Sequence, residues 1–154
     1  MSLIFRMVWI LVRSLFVPRL PYVKPVNALT LRVLPNDLDI NLHMNNGRYF
    51  TICDLTRVDM FIRTGLAKVM IQKKWIPVIS YHDLNFKKAL GLFKRYRVEM
   101  EVTGWDEKAF FMSHRFLVGD KIVAEGESKG VILSKKGPIP PEEVMQAVRE
   151  MRGE

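Results

Sequence analysis

The sequence predicts an α+β domain in which an antiparallel sheet curls around one long buried helix, with helical extensions at the N- and C-terminal ends. Three observations lead there. The stretch Gly47–Thr64 has no proline and is apolar around much of its circumference; a helix hydrophobic nearly all round is a buried helix, so something must wrap it. Four strand-like runs follow one another from Trp75 onward, an order that favours an antiparallel meander. A further strand-like run precedes the helix and belongs in or beside that sheet. At 154 residues the chain has the length of one domain. A domain of this size buries about 70% of its unfolded surface and folds without staples.

Taken in order, residues 3–17 read L-I-F-R-M-V-W-I-L-V-R-S-L-F-V. The unbroken apolar part, Met7–Val12, is far short of the roughly 20 residues that cross a bilayer. Small residues of a signal-peptide cleavage site are missing. The segment is either a helix lying in a membrane surface, with Arg6 and Arg13 snorkelling to headgroups, or a helix packed on the protein or a partner chain; a signal or anchor segment is the remaining reading. Pro18–Pro25 is a stiff linker. Residues 1–25 therefore form an amphipathic segment and linker, and residues 26–154 the domain.

Ala28–Leu34 alternates as a strand does, and Pro35-Asn36-Asp37 stops it. Gly47–Thr64 makes a helix of about five turns, closed by Gly65. Trp75–Phe86 reads as a strand. Phe93–Thr103 puts Tyr96, Val98, Met100 and Val102 on one side, with Arg97, Glu99 and Glu101 on the other. Lys108–Val118 is the next strand, and Gly119-Asp120 turns it. Ile122–Leu133 carries Ala124, Gly126, Ser128 and Gly130 along one side, so another backbone or helix approaches closely there. Pro140–Met151 opens on P-P-E-E and ends with an arginine, the charge order of a helix.

The formal charge of +8 implies attraction to anions. On charge alone nucleic acid, anionic lipid and phosphorylated cofactors such as coenzyme A all qualify. No zinc-finger spacing, Walker loop or G-x-G-x-x-G is present, and nucleic acid is not expected as a partner. Cys53 is the only cysteine, which forbids an internal disulfide and gives no sign of a cysteine zinc site. His82 and His114 lie in strand-like runs without matching partners. A metal needs three or four convergent ligands, and none is expected.

The polar cluster Asp37–Tyr49, D-L-D-I-N-L-H-M-N-N-G-R-Y, sits between the first strand and the long helix. It resembles the active-site segment of hotdog-fold acyl thioesterases. The match is closest to the D-x-D-x-N-x-H-x-N-N-x-x-Y form of plant-type acyl-ACP thioesterases and related small proteins. It is looser to bacterial 4-hydroxybenzoyl-CoA thioesterases, which share a tyrosine ten residues after the second aspartate, then an acid and an arginine, as Tyr49, Asp54 and Arg57 stand here. The motif covers about twenty residues, and the order of elements extends the resemblance from Ala28 to Lys135. The resemblance implies a sheet wrapped on a central helix and hydrolysis of an acyl-CoA or acyl carrier protein thioester. It implies Asp39 as the catalytic carboxylate, attacking the carbonyl or activating water, with Asn41 and His43 positioning groups or handling protons. Asn46 stands where related enzymes place a backbone N–H on the carbonyl oxygen. A homodimer or tetramer follows from the same resemblance, with no cofactor beyond the coenzyme A of the substrate.

These residue types suit that chemistry. A helix N-terminus offers unpaired N–H groups and partial positive charge to a developing oxyanion. A carboxylate just upstream reaches the carbonyl or a water, and a histidine is suited to carrying a proton near neutral pH. Each also has a structural reading. Asp37 is read as closing an Asx-turn. Asn41 and His43 can serve as ordinary loop residues. Asn45 and Asn46 are good helix caps, and Asp54–Arg57 is a helix ion pair or a dimer contact. Lys87, Lys88 and Lys94, among other basic residues near strand ends, either bind the phosphates of coenzyme A or form a solvated rim. Two other functions remain open from sequence. One is a non-catalytic lipid-binding module associated with a membrane. The other is a hotdog hydratase, against which the missing proline of D-x-N-P-x-H and the early His43 count. The expected location is cytoplasmic, peripheral to a membrane if residues 3–17 lie on one.

Overall fold

A computed structural model describes residues 3–154. In chain order the elements are α1 (Leu3–Phe16), β1 (Val26–Arg32), a 3₁₀ turn (Pro35–Asp37), α2 (Asn46–Thr64), α3 (Leu66–Lys73), β2 (Ile76–His82), β3 (Asn85–Phe86), β4 (Arg95–Trp105), β5 (Phe110–Val118), β6 (Lys121–Ser134), β7 (Gly137–Ile139) and α4 (Pro141–Arg152). The sheet is antiparallel throughout, in the order β1-β4-β5-β6-β2, with β3 and β7 also paired to β6. The expectation of a sheet wrapped on one long helix is borne out.

Local chemistry sets the limits of α2. The Asn45 side chain accepts the Gly47 N–H at 2.8 Å, satisfying one donor of the first turn. At the other end Gly65 takes φ 92°, a left-handed conformation that glycine adopts without strain, and its N–H bonds to the Ile62 carbonyl. Tyr49, Ile52, Cys53 and Leu55 of α2 pack with Leu29, Val98, Phe116 and Val123 of the sheet in the main core. Alternation in β4 follows the sequence, with Tyr96, Val98, Met100 and Val102 buried. Thr56, Arg57 and Asp59 of α2 are also buried. The helix is therefore not lined by apolar side chains alone.

Four features depart from the sequence reading. The strands after α2 do not form a simple meander, because β2 pairs with β6 and leaves β1 to pair with β4. Gly65 ends α2 but the chain resumes as α3, whose Leu66, Val69 and Met70 join Val144 and Val148 of α4 in a second cluster. The expected strand Trp75–Phe86 is broken at Asp83-Leu84 into β2 and β3. The break lies against Gly126, where an added Cβ would stand 2.0 Å from the Asp83 carbonyl oxygen, the close backbone approach that the small residues of β6 foretold.

The fourth concerns α1, for which the sequence left open a membrane-surface helix and a helix packed on the protein. Its arginines do not snorkel outward. Arg6, Ile10 and Ser14, at successive i+4 positions, are buried against the domain, and Ile10 belongs to the main core. Arg6 pairs with Asp37, and Ser14 and Arg13 bond to Asp59. Residues 18–25 are also held down. The Leu20 N–H bonds to the Arg63 carbonyl, and Arg152 donates to the Leu20 carbonyl at 2.7 Å.

Candidate active site

The cluster between β1 and α2 folds into a tight loop on the helix N-terminus. Asp37 is fully buried. Its carboxylate accepts from Arg6 Nη1 at 2.6 Å and Nη2 at 2.5 Å, and from the Leu34 N–H at 2.8 Å, with Arg48 Nε 3.2 Å away. Burial by itself would raise the Asp37 pKa. The Arg6 and Leu34 hydrogen bonds and the charges of Arg6 and Arg48 outweigh it and hold the carboxyl below its ordinary value. Asp37 is thus a structural anchor, as the sequence suggested, though its buried cation Arg6 lies thirty-one residues upstream and its local bond comes from the Leu34 N–H.

Asp39 is half-buried. Its Oδ1 accepts the Asn41 N–H at 2.9 Å and the His43 N–H at 3.3 Å, and its own N–H bonds to the His43 carbonyl at 2.8 Å. Both side-chain bonds use Oδ1, and among the described residues none uses Oδ2. Leu42 closes this loop at φ 61°, an uncommon conformation for a branched side chain. Asn41 and His43 thus come to Asp39 through their main chain. Their side chains are exposed, as is that of Asn46, and no bond joins the side chains of Asp39, Asn41 and His43. Asn46 begins α2 directly after the cap, so its N–H is one of the open donors of the helix end. Ile40 and Leu42, flanking Asn41, are 96% and 69% exposed.

The segment carrying the three lysines lies against this loop. His43 bridges Gly91, and the Met44 N–H bonds to the Leu90 carbonyl at 2.8 Å. Lys87, Lys88 and Lys94 are exposed on either side of that contact, with Lys87 paired to Glu125 at 2.7 Å.

A second polar group lies deeper, where the sequence showed only unmatched residues. One ligand atom from each of Cys53, His82 and His114 lies within 4.8 Å of the others. Arg57, 3% exposed, stands among them. Its Nη1 donates to Asp54 Oδ1 at 2.5 Å, and its Nη2 approaches His82 Nδ1 at 3.2 Å and His114 Nε2 at 3.4 Å. A guanidinium only donates, so His82 Nδ1 is an acceptor; His114 Nε2 also meets Ser128 Oγ at 2.7 Å, a shorter contact than that to Arg57. The His82 proton then sits on Nε2, a tautomer assignment made from the network. His82 Nε2, His114 Nδ1 and Arg57 Nε are buried without a partner among the described residues. Burial first, and Arg57's charge second, push the His82 pKa down to about 4 and the His114 pKa to about 3; both rings are neutral at pH 7. Burial pushes the Cys53 thiol up to about 12. With the Arg57 cation already central, the group is poorly suited to a metal ion. No sequence spacing revealed it, because it joins α2, β2 and β5.

Comparison with known proteins agrees with the fold. The chain is 29% identical over 151 residues to the protein THEM6 of Xenopus laevis, covering 92% of this chain and 70% of that protein. Among solved structures, YbaW, a probable thioesterase of Escherichia coli, superposes with a TM-score of 0.73 at 18% identity, covering 80% of this chain and 97% of that one. A 1,4-dihydroxy-2-naphthoyl-CoA thioesterase of Synechocystis gives a TM-score of 0.68 at 11% identity, covering 82% and 98% respectively. The model of the thioesterase-like superfamily matches residues 33–148, which include the Asp37–Tyr49 loop, and the chain belongs to that family.

Proposed function

We propose that the protein hydrolyses an acyl-CoA thioester at the Asp39 loop. The observation that carries this reading is a carboxylate held by two main-chain N–H groups immediately before the N-terminus of α2. Oδ2 is left to attack the carbonyl or to activate a water. The open Asn46 N–H and the helix dipole favour the negative charge that develops on the carbonyl oxygen. Exposed Asn41 and His43 side chains are available for the leaving thiolate and its proton. Lys87, Lys88 and Lys94 offer charge to the coenzyme A phosphates. The naphthoyl-CoA thioesterase of the same fold supports coenzyme A over a carrier protein. The test is thiol release from a panel of acyl-CoAs by wild type and Asp39→Asn. The variant is expected to lose at least about 100-fold in kcat with an unchanged unfolding midpoint. Equal turnover by both would remove Asp39 from the chemistry, and no release from any acyl-CoA would remove the hydrolase reading.

The reading includes assembly with a second copy. In a single chain none of the cavities described is lined by Asp39, Asn41 or His43. Beside Asp39 the apolar Ile40 and Leu42 stand exposed, and at the sheet edge Ile76, Val78 and Ile79 of β2 do the same. Unpaired edge strands of this kind accept another chain. Sedimentation is expected to show a dimer or larger species; a fully active monomer would exclude it.

Association with a membrane surface is the second reading, and α1 favours it. Its polar side chains point inward to Asp37 and Asp59, and its outer face presents Ile4, Phe5, Val8, Trp9, Val12 and Phe16. Trp9 lies in a groove with the exposed Arg32 and Arg95, an aromatic and basic pairing suited to an anionic lipid interface.

A further inference from the structure

The outer face of the sheet carries an unbalanced pair of arginines beside α1. In the β1–β4 register Arg32 stands directly opposite Arg95, and Thr30 opposite Arg97. Both Arg32 and Arg95 are exposed. Directly opposed side chains of an antiparallel pair have Cβ atoms about 5 Å apart, and like charges there are destabilising. Further along the same face the sheet offsets such crowding, because Glu99 pairs with both Arg97 and Arg115 at 3.1 Å. Among the described residues no carboxylate pairs with Arg32, Lys94 or Arg95. Arg32 donates to the Phe93 carbonyl at 3.2 Å, which ties its guanidinium to the turn before β4.

A groove of about 490 Å³ lies between α1 and these strands, with Trp9, Arg32, Leu34 and Arg95 among its walls. A second groove, with Lys94 and Arg97, shares Thr30, Arg32 and Arg95 with the first. No aspartate or glutamate lines either one. A groove of that size takes a phosphoglycerol group. Two guanidinium forks without a counter-ion match an anion that offers several oxygens. Charge fixes its class. A phosphomonoester carries nearly two negative charges at pH 7, the charge that two arginines balance; a phosphodiester carries one. Trp9 supplies the rest of the match. An indole ring suits the headgroup depth of a bilayer, and Trp9 shares the groove with the arginines while α1 turns Phe5, Val8 and Val12 outward. A ligand that is phosphate at one end and apolar at the other meets both.

We propose that Arg32 and Arg95 bind the phosphomonoester headgroup of an anionic lipid, with Trp9 against its glycerol. The proposal rests on the membrane-surface reading of α1, since that helix brings the groove to the bilayer. It is independent of thioester hydrolysis at the Asp39 loop.

The test is partition of the full chain onto phosphatidylcholine vesicles that carry either phosphatidate or, to match surface charge, phosphatidylglycerol at twice the mole fraction. Wild type is expected to bind the phosphatidate vesicles at least about tenfold more tightly. Arg32→Gln/Arg95→Gln is expected to bind the two alike, with its binding to phosphatidylcholine alone unchanged. Equal binding of wild type to both, or a preference that survives in the variant, would overturn this site and leave the membrane reading standing. No binding to any vesicle would remove the membrane reading and the lipid assignment with it. A soluble probe examines the groove apart from the bilayer. Dihexanoyl phosphatidate is expected to shift the Trp9 indole N–H signal, identified by its loss in Trp9→Phe, in wild type and not in Arg32→Gln/Arg95→Gln. Absence of that shift would overturn the site even where vesicles bind. Inorganic phosphate or coenzyme A moving the same signal with equal affinity would make it a site for free phosphate or for substrate, and would overturn the lipid assignment.

Discussion

At the scale of single residues, the interior is set by a few polar groups whose partners are distant in sequence. Asp59 shows this well: Ser14 and Arg13 bond to one of its oxygens, Asn27 and Arg63 to the other, so its buried carboxylate is fully engaged. The histidine pair on Arg57 has a measurable consequence. With an ordinary value of 6.5, burial and then Arg57 lower His82 to about 4 and His114 to about 3. Above pH 6.5 the rings are neutral in both folded and unfolded chains. As pH falls from about 6.5 toward about 4, the unfolded chain takes up protons that the folded chain refuses, so stability falls. The urea midpoint is expected to drop between pH 7 and pH 5, and His114→Gln to flatten that slope by roughly one proton. A slope unchanged in the variant would show that His114 titrates normally in the folded protein. Asp37, with its lowered pKa, adds a further loss only at lower pH, as its carboxylate is protonated.

At the scale of elements, α1 is part of the domain that builds the site. Its Arg6 holds Asp37, whose carbonyl receives the N–H of Asn45, the residue whose side chain caps α2. The N-terminal helix therefore supports the loop that carries Asp39. Both members of the Arg6–Asp37 pair are buried, at 4% and 0% exposure, so removing one leaves a charge with little solvent to receive it. Arg6→Met is expected to cost about 3 kcal/mol in urea denaturation, partly recovered in Arg6→Met/Asp37→Leu, where neither charge remains. A loss below about 1 kcal/mol would mean that the pair contributes no more than an exposed one.

At the scale of the whole molecule, the protein buries polar side chains of α1 and displays apolar ones. No described helix is long and apolar enough to cross a membrane. The outward face of α1, with Leu15 at 75% and Phe16 at 83% exposure, instead suits burial to headgroup depth. Co-sedimentation with anionic vesicles is expected for the full chain, and Phe5→Gln/Val12→Gln/Phe16→Gln is expected to reduce it about tenfold or more through lost apolar burial. Undiminished vesicle binding by that variant would show that α1 is not the contact.

Sequence periodicity by itself determined the long helix, the strands from β4 to β6, the Gly126 contact and the loop at Asp37–Tyr49, because each rests on chemistry within a few residues: alternation, capping, a missing side chain, a clustered motif. The inward turn of Arg6 and Arg13, the placing of β2 beside β6, and the meeting of Cys53, Arg57, His82 and His114 were decided only by tertiary structure. Helical spacing puts Arg6, Ile10 and Ser14 on one face, but it carries no information about which face meets the core. That depended on Asp37 and Asp59, buried carboxylates whose need for partners outweighed the apolar pull of the opposite face.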